Sequence, residues 1–390
     1  VPRQLAYVLG AHDPGVEPRI GWFAATLSKT HDVTVIGVNP RNNGREGPSL
    51  EEVPGGIKVL RVERTRHDAG WLPIASELCD GTTCEARALL AALVGYGAAP
   101  DALLRRRLGA EIAVAGELER FRTLCTYLVN TNSALIGAVE KLGPPNLVVA
   151  ADLEALYAAV ACGETTDASV VFDAHEYWPW SYTDFQHWEI EFWSAMEGRL
   201  AGLADLNIAV TPQLAGHMGN EYGVTFHCLP NAATLSEGDL DALEGAFARR
   251  LTSKEPLRVL YLGGFAHGRG LEEVIHAWTY LRSDAQLILR GPDNEYRQAM
   301  IELARSLGLG ESEVSFPGAV SESDLIATAL EADLGLVAYN PIWFGYRYCC
   351  PNKLSQYSAA GLPILASETE FVAGIVQLNA IGYVVDIPDP

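Results

Sequence analysis

Short apolar runs alternate with segments of helical periodicity along most of this chain. The first two runs, residues 5–9 and 33–38, flank a segment in which Ile20, Phe23 and Ala24 share one face of a predicted helix. This order of strand, helix and strand predicts the opening of a doubly wound parallel sheet. Further strands of the same sheet are predicted at residues 57–62, 146–150, 169–172, 206–210 and 223–230.

The same alternation starts again in the second half of the chain. Its predicted strands are residues 257–262, 285–289, 314–316, 333–337, 364–366 and 383–385. We therefore expect two Rossmann-like α/β domains, 1–231 and 257–390. Residues 232–256 show no strand pattern and are predicted to be a linker with one helix. The Ala- and Leu-rich stretch at about 72–142 predicts a helical insertion in the first domain.

Polar residues cluster after one predicted strand of the first domain. Asp173, His175 and Glu176 follow the apolar run 169–172 directly, and Trp178 opens an aromatic stretch behind them. Ligands of open α/β sheets bind at the carboxyl ends of the strands, so this context favours chemistry for a histidine that elsewhere would be structural. The aromatic rings could stack on a sugar or an apolar acceptor, and core packing is the alternative for about half of them.

The loop after the first strand lies at the same predicted sheet edge. It contains Gly15 and ends at Arg19, at the start of the first helix. Arg19 could pair with a phosphate there, and an ordinary surface arginine is an equally good reading.

The first turn of the second domain is rich in glycine. Gly263 and Gly264 would let backbone approach a phosphate closely, and Arg269 stands near the start of the next helix. Gly291, after the following strand, could border a nucleotide base. A Gly-rich turn alone is weak evidence.

A short helix is predicted between Pro351 and Gly361, because proline suits a first helical turn and glycine a helix end. Its N-terminus would offer free N–H groups at Asn352, and Lys353 adds a full charge in the same turn. Gln356, one turn further on, could hydrogen-bond a sugar hydroxyl. An ordinary helix–strand unit with a solvated Lys353 is the alternative.

Charge and cysteine content narrow the function classes. The 390 residues carry a formal net charge of −21, which disfavours nucleic acid as a partner and makes binding to an anionic membrane weak or absent. A basic patch at 105–107 is more simply a solvated helix face. The 7 cysteines show no Cys-x-x-Cys spacing, so we expect no zinc site, and Cys79 and Cys84 could form a bridge.

No metal and no bound cofactor are expected, since the Asp239–Asp241 pair lacks the apolar strand that would precede a metal motif. No apolar run approaches the roughly 20 residues that span a bilayer, and a reducing cytosol is the simplest compartment.

The run 351–363, Pro-Asn-Lys-Leu-Ser-Gln-Tyr-Ser-Ala-Ala-Gly-Leu-Pro, resembles a signature of family 4-like glycosyltransferases of the GT-B fold. The resemblance implies two Rossmann-like domains facing each other across a cleft, with a nucleotide-sugar donor held by the second domain and an acceptor by the first. It implies metal-independent transfer, with a UDP-sugar as the favoured donor and retention of anomeric configuration. It also implies further C-terminal helices, which this chain would lack.

Particular residues receive roles from the same resemblance. His175 would approach the transferred sugar, since Asp-x-His-Glu after this strand recurs in the family, while Arg269 and Lys353 would bind the pyrophosphate. Donor binding would involve Gly263, Gly264, Gly291, Asn352, Lys353 and Gln356. The acceptor side would include Gly15, Arg19, Glu176 and Trp178, and the helical insertion. A homodimer is an open option, and the acceptor is unspecified.

The chain departs from the family pattern at its acidic positions. Gln356 stands where the family has a helix glutamate, and Tyr348 stands eight residues earlier, where a second glutamate is frequent. A basic residue that often follows the first strand of the second domain is also missing, at Gly264 or Phe265. A nucleotide-sugar epimerase of the same fold and a non-catalytic binding protein are therefore the alternatives. A nicotinamide dehydrogenase is disfavoured, because no Gly-x-Gly-x-x-Gly follows the first strand.

Overall fold

The computed structural model describes most of the chain, and its contacts divide the chain into two compact units, Val1–Leu229 and Pro230–Pro390. The described residues are 3–14, 17–39, 48–64, 117–182, 184–233, 235–252, 255–281 and 285–386. Most of the predicted insertion, residues 72–116, lies outside this set, as do Gly15, Cys79, Cys84 and the basic run 105–107.

The first unit is built on an eight-stranded sheet in the order β3-β4-β2-β1-β5-β6-β7-β8. Its strands are β1 (Gln4–Gly10), β2 (His31–Asn39), β3 (Ser49–Val53), β4 (Ile57–Glu63), β5 (Leu147–Ala151), β6 (Ser169–Ala174), β7 (Leu206–Ala209) and β8 (Phe226–Cys228). Its described helices are α1 (Pro18–Leu27), α2 (Glu117–Leu142), α3 (Leu153–Thr166), α4 (His187–Ala201) and α5 (Pro212–Tyr222). All strand pairs are parallel except β3 with β4.

The chain order reverses between β1 and β5. From β1 the chain passes to β2 on one side, while β5 pairs with β1 on the other. Loops diverge at such a switch point and leave a crevice at the carboxyl ends of the strands. The residues that follow β1, β5 and β6 therefore meet at one edge of this sheet.

Helix α3 is buried around most of its circumference, which explains why its sequence is apolar without a polar stripe. It is tied to α2 by the buried Asn132 side chain. The Asn132 amide donates to the carbonyls of Leu128 and Glu154, each at 2.9 Å, and its oxygen accepts from the N–H of Ala158 at 2.9 Å. These bonds satisfy a buried polar side chain completely and fix α3 at the sheet edge.

The second unit holds a six-stranded parallel sheet in the order β11-β10-β9-β12-β13-β14. Its strands are β9 (Leu257–Leu262), β10 (Ala285–Arg290), β11 (Val314–Ser315), β12 (Leu334–Val337), β13 (Ile364–Ser367) and β14 (Gly382–Val385). Its helices are α6 (Glu237–Thr252), α7 (Leu271–Leu281), α8 (Glu295–Ser306), α9 (Leu325–Leu330), α10 (Phe344–Arg347), α11 (Asn352–Ala359) and α12 (Glu370–Leu378). Here the switch point lies between β9 and β12.

The residues predicted to be a linker, 232–256, lie in the second unit and contain helix α6. Arg249 pairs with Asp333 at 2.7 Å and donates to carbonyls at the end of α9. Arg250 donates to the carbonyls of Ala360 and Gly361, each at 3.1 Å. Cations at the carboxyl ends of two helices satisfy their last carbonyls, so α6 is fastened to the second unit. No helix in the described part of the chain is long and apolar enough to cross a membrane.

Candidate functional site

Lys353 occupies the first turn of α11 and points into the second unit. Helix α11 begins at Asn352, directly after Pro351, and Gly361 turns the chain away from it with φ +58°. The Lys353 side chain is only 4% exposed, and its Nζ lies 3.8 Å from the ring centroid of Tyr261 and 4.9 Å from that of Tyr339. Among the described residues, Nζ has no hydrogen-bond partner. A buried ammonium without a counter-ion is costly, which marks the position as a site for an anion.

Arg269 lies beside this lysine. Its Nη1 donates to the carbonyl of Gly264 at 2.9 Å and lies 3.4 Å from the Tyr261 hydroxyl, while its buried Nε has no partner. The guanidinium carbon is 5.8 Å from the centre of the Tyr339 ring. Burial first, and then the charge of Arg269, lower the pKa of Lys353 well below its usual value. Two neighbouring basic side chains with unmet donors can hold a group that carries two negative charges.

The predicted glycines bring two backbone turns together next to Lys353. Gly263 has φ +145°, and a Cβ there would lie 3.3 Å from Lys353 Nζ. A Cβ at Gly291 would lie 2.0 Å from the Gly263 carbonyl oxygen, so no other residue fits without moving the backbone. The Gly263 N–H donates to the Arg290 carbonyl at 3.0 Å. The turns after β9 and β10 therefore pack directly against each other, and Gly291 is buried at their contact.

The remaining predicted donor residues lie on α11. Asn352 has a buried Oδ1 without a partner, and Gln356 is 5% exposed. Tyr357, which the sequence reading did not single out, anchors the helix. Its hydroxyl accepts from the N–H of Leu262 at 2.8 Å and donates to the carbonyl of Leu260 at 2.9 Å. This tyrosine, in the C-terminal half of α11, fixes the helix against the end of β9.

His175 lies at the carboxyl edge of the first sheet, within a network of charged side chains. Its Nε2 is 3.1 Å from Asp173 Oδ2, and its Nδ1 pairs with Glu17. Burial acts to lower the pKa of His175, but the charges of Glu17 and Asp173 outweigh it and raise this pKa well above its usual value. Each ring nitrogen thus lies within hydrogen-bond distance of a carboxylate, an arrangement that favours the imidazolium.

Arg19 does not point to a free phosphate position in this arrangement. Its Nε and Nη2 bind the two oxygens of Asp173 at 2.8 and 2.5 Å, and the side chain is 5% exposed. Burial tends to raise the pKa of Asp173, yet His175 and Arg19 together lower it. Arg19 therefore takes part in a buried ion pair that holds Asp173 ionised beneath His175.

The network contains residues that sequence reasoning missed. Glu17 precedes α1, and Asp152 Oδ2 lies 4.0 Å from His175 Nδ1. Asp152 is the N-cap of α3, and its side chain accepts from the N–H of Leu153 at 3.2 Å. His12 Nε2 and Glu154 Oε2 form a second pair at 2.9 Å. The signal that could have found them is their position directly after β1 and β5, which flank the switch point.

The other acceptor-side predictions separate in the structure. Glu176 is exposed at the sheet edge, whereas Trp178 is 5% exposed and packs against Trp193 at a ring distance of 5.5 Å. Trp178 thus belongs to the core, the alternative noted for these aromatic residues, while Trp180 and Tyr182 present exposed rings. Within the described ranges no group of three or more His, Cys, Asp or Glu side chains is arranged to hold a metal ion.

The raised pKa of His175 predicts how stability depends on pH. A group protonated more strongly in the folded state stabilises it fully below the unfolded pKa, about 6.5, and loses this contribution as pH rises through the folded value. We expect His175 to contribute a fall of about 1.4 kcal/mol per pH unit in the free energy of unfolding above about pH 6.5. Urea unfolding across this range, followed by tryptophan fluorescence, measures the slope.

The comparison variants are His175→Gln, which should flatten the slope, and His227→Gln on exposed β8, which should keep it. His12, whose pKa the Glu154 hydrogen bond raises, leaves a residual slope of the same sign in both variants. Equal slopes in the wild type and His175→Gln would contradict the assignment.

Comparisons with known proteins identify one family match and several similar folds. Residues 245–390 match the family described as Glycosyl transferases group 1. Sucrose-phosphate synthase from Thermosynechococcus elongatus has a similar structure, with TM-score 0.66 at 16% identity over 99% of this chain and 87% of that one. No curated protein sequence matches the chain.

Two further structures are similar over nearly the whole chain. HepE of Anabaena, solved in complex with UDP and glucose, gives TM-score 0.57 at 15% identity over 98% of this chain and 86% of its own. WaaG, a glycosyltransferase involved in lipopolysaccharide biosynthesis, gives 0.58 at 16% over 99% and 87%. At these identities the likeness establishes the fold, and the family match lies on the unit that holds Lys353 and Arg269. Residues 245–390 thus match the Glycosyl transferases group 1 family, and the chain has the fold of these GT-B structures.

Proposed function

We propose that the protein transfers a sugar from a UDP-sugar to an acceptor hydroxyl, without a metal ion and with retention of anomeric configuration. The observation that carries the donor assignment is the unmatched pair of Lys353 and Arg269 at the switch point of the second sheet. A diphosphate supplies the negative charge that this pair lacks. The complexes of HepE with UDP and with UDP-glucose support uracil as the base.

The difficult step of such a transfer is departure of the nucleoside diphosphate. Negative charge grows on its oxygens while the anomeric carbon becomes oxocarbenium-like. Lys353, Arg269 and the free N–H groups at the start of α11 would stabilise that charge, and one such donor is worth about 2.7–4 kcal/mol in other enzymes. The glycine backbone at Gly263 and Gly291 would give the phosphates room to approach. Gln356 would bond the ribose hydroxyls without the charge assistance of a carboxylate.

The first unit would hold the acceptor at the edge that carries His175. A doubly hydrogen-bonded imidazolium cannot accept a proton, so His175 would act by position and charge near the transferred sugar. Glu176 is the exposed carboxylate in the same loop and is our candidate to receive the acceptor proton. The anomeric configuration of the product, read by NMR from its coupling constants, decides between retention and inversion.

A ligand panel tests the donor assignment. We expect UDP and UDP-glucose to raise the thermal unfolding temperature, because a ligand present at 100 times its Kd stabilises by about 2.7 kcal/mol. Excess EDTA should leave the shift unchanged if no metal takes part. UMP has one phosphate fewer and is the control for the charge of the diphosphate. ADP has another base and is the control for base recognition. If no nucleoside diphosphate or its sugar shifts the transition, the donor assignment is wrong.

A further inference from the structure

The further inference concerns the charge of Lys353 and rests on the proposed donor site. Every element packed around Nζ contributes an uncharged or cationic group. Strand β9 provides Tyr261, the segment after β12 provides Tyr339, the turn before α7 provides Arg269, and the segment before α11 provides Cys349. Neither Lys353 nor Arg269 forms an ion pair with a carboxylate in the described part of the chain. In the described part of the chain, the two aromatic rings and Cys349 are thus the groups near this lysine that favour an ammonium, and no carboxylate is among them.

The two protonation states of Lys353 respond differently to a ligand. With the site empty, the ammonium form would be buried beside the guanidinium of Arg269, with only the faces of two aromatic rings to offset the loss of water. The neutral amine avoids both the desolvation and the repulsion. A diphosphate placed against Lys353 and Arg269 reverses this balance, because its negative charges favour the ammonium and accept its hydrogen bonds.

We propose that Lys353 is a neutral amine in the empty site and takes up one proton from solvent when a nucleoside diphosphate binds. The amine becomes an ammonium, and no other bond changes. This uptake makes binding depend on pH. In the pH range in which the amine is neutral in the empty site and charged in the occupied site, each increase of one pH unit raises the apparent Kd about tenfold. The lysine would thus set both the affinity for the diphosphate and its dependence on pH.

Isothermal titration calorimetry of UDP tests this proposal. The titration is run at about pH 8, where the terminal phosphate, with a pKa near 6, is already ionised and contributes little proton exchange. Measurement in two buffers with different ionisation enthalpies gives the number of protons exchanged. We expect an uptake approaching one proton per UDP bound, and a Kd that rises about tenfold per pH unit in this range.

Lys353→Arg provides the control, because arginine keeps its charge at every pH of the experiment. It should bind UDP with almost no proton uptake. If Lys353→Arg does not fold, the pH dependence of the wild-type Kd for UDP tests the proposal by itself. Tight UDP binding with no net proton uptake would contradict the proposal but not the donor site. A proton uptake by Lys353→Arg equal to that of the wild type would have the same meaning. Failure of every nucleoside diphosphate to bind overturns the proposal and the donor site together.

Discussion

Replacing Lys353 by Met removes the response to nucleoside diphosphates and leaves the second unit at least as stable as before. The lysine is 4% exposed, has no partner for its Nζ and lies beside Arg269. A methionine of similar length fills the same space between the two tyrosine rings without a buried amine that lacks a hydrogen-bond partner, and removing such an unsatisfied polar group is neutral or stabilising. Turnover should fall by about 10²–10³, the usual effect of deleting one donor to the departing charge.

Two measurements check this expectation together. Thermal unfolding with and without UDP reports binding and stability, and product formation from UDP-glucose reports turnover. Lys141→Met, on the exposed end of α2, is the matched control and should change neither. A clear loss of stability in Lys353→Met would mean that the lysine holds the fold, and retained UDP binding would mean that the diphosphate lies elsewhere.

Asp173→Asn should destabilise the first unit by about 3–5 kcal/mol, the typical cost of breaking a buried ion pair by removing one partner. Asp173 is 2% exposed and binds both Arg19 and His175. The amide keeps the shape of the carboxylate but leaves the guanidinium buried without its counter-charge. His175 would at the same time lose one of the two charges that keep it protonated.

Urea unfolding at neutral pH measures this loss, and Asp32→Asn offers a matched control. Asp32 pairs with Arg3 across 3.7 Å, and both side chains are more than half exposed, so its replacement should stay within about 0.5 kcal/mol of the wild type. A cost of similar size for both variants would show that the Arg19–Asp173 pair does not hold the sheet edge together. Asp173 should also matter progressively less below about pH 4, where an unfolded aspartate is protonated.

The strands of both sheets could be predicted because parallel strands buried on both faces are nearly continuous apolar runs. Strand β3 could not, since Glu51 and Glu52 are exposed and the strand pairs only with β4 at the sheet edge. Its antiparallel pairing with β4 is visible only in three dimensions. Helix α6 was placed in a linker because residues 232–256 show no strand pattern. Its attachment depends on Arg249 and Arg250 and not on an apolar face.

The donor residues were accessible from the sequence because they follow strand ends and a helix start. The environment of Lys353 could not be predicted from the sequence. Tyr261 lies inside an apolar strand and Tyr339 just beyond another, so both look like ordinary core residues. Only the structure shows that their rings cover the lysine and that the site holds it without a counter-ion.

In the first unit, the contacts between residues distant in sequence could not be predicted. His175 and Asp173 are close in sequence and were predicted together, but Glu17 and Asp152 come from other strand ends and have no sequence signal of proximity. Arg19 was read as a phosphate ligand or a surface residue because its partner lies 154 positions away. Trp178 could not be assigned to core or surface, since an aromatic run has the same composition in both settings.

The hydrogen bonds of the Tyr357 hydroxyl bear on the affinity for the donor. Strand β12 pairs with β9 only as far as Leu260, and the tyrosine supplies the hydrogen bond that the next backbone group, at Leu262, would otherwise lack. The end of β9, which leads into the glycine turn, is thereby fixed to α11 when the chain folds. A ligand that meets preorganised backbone loses less affinity to conformational entropy on binding. The tyrosine can thus strengthen donor binding without touching the donor.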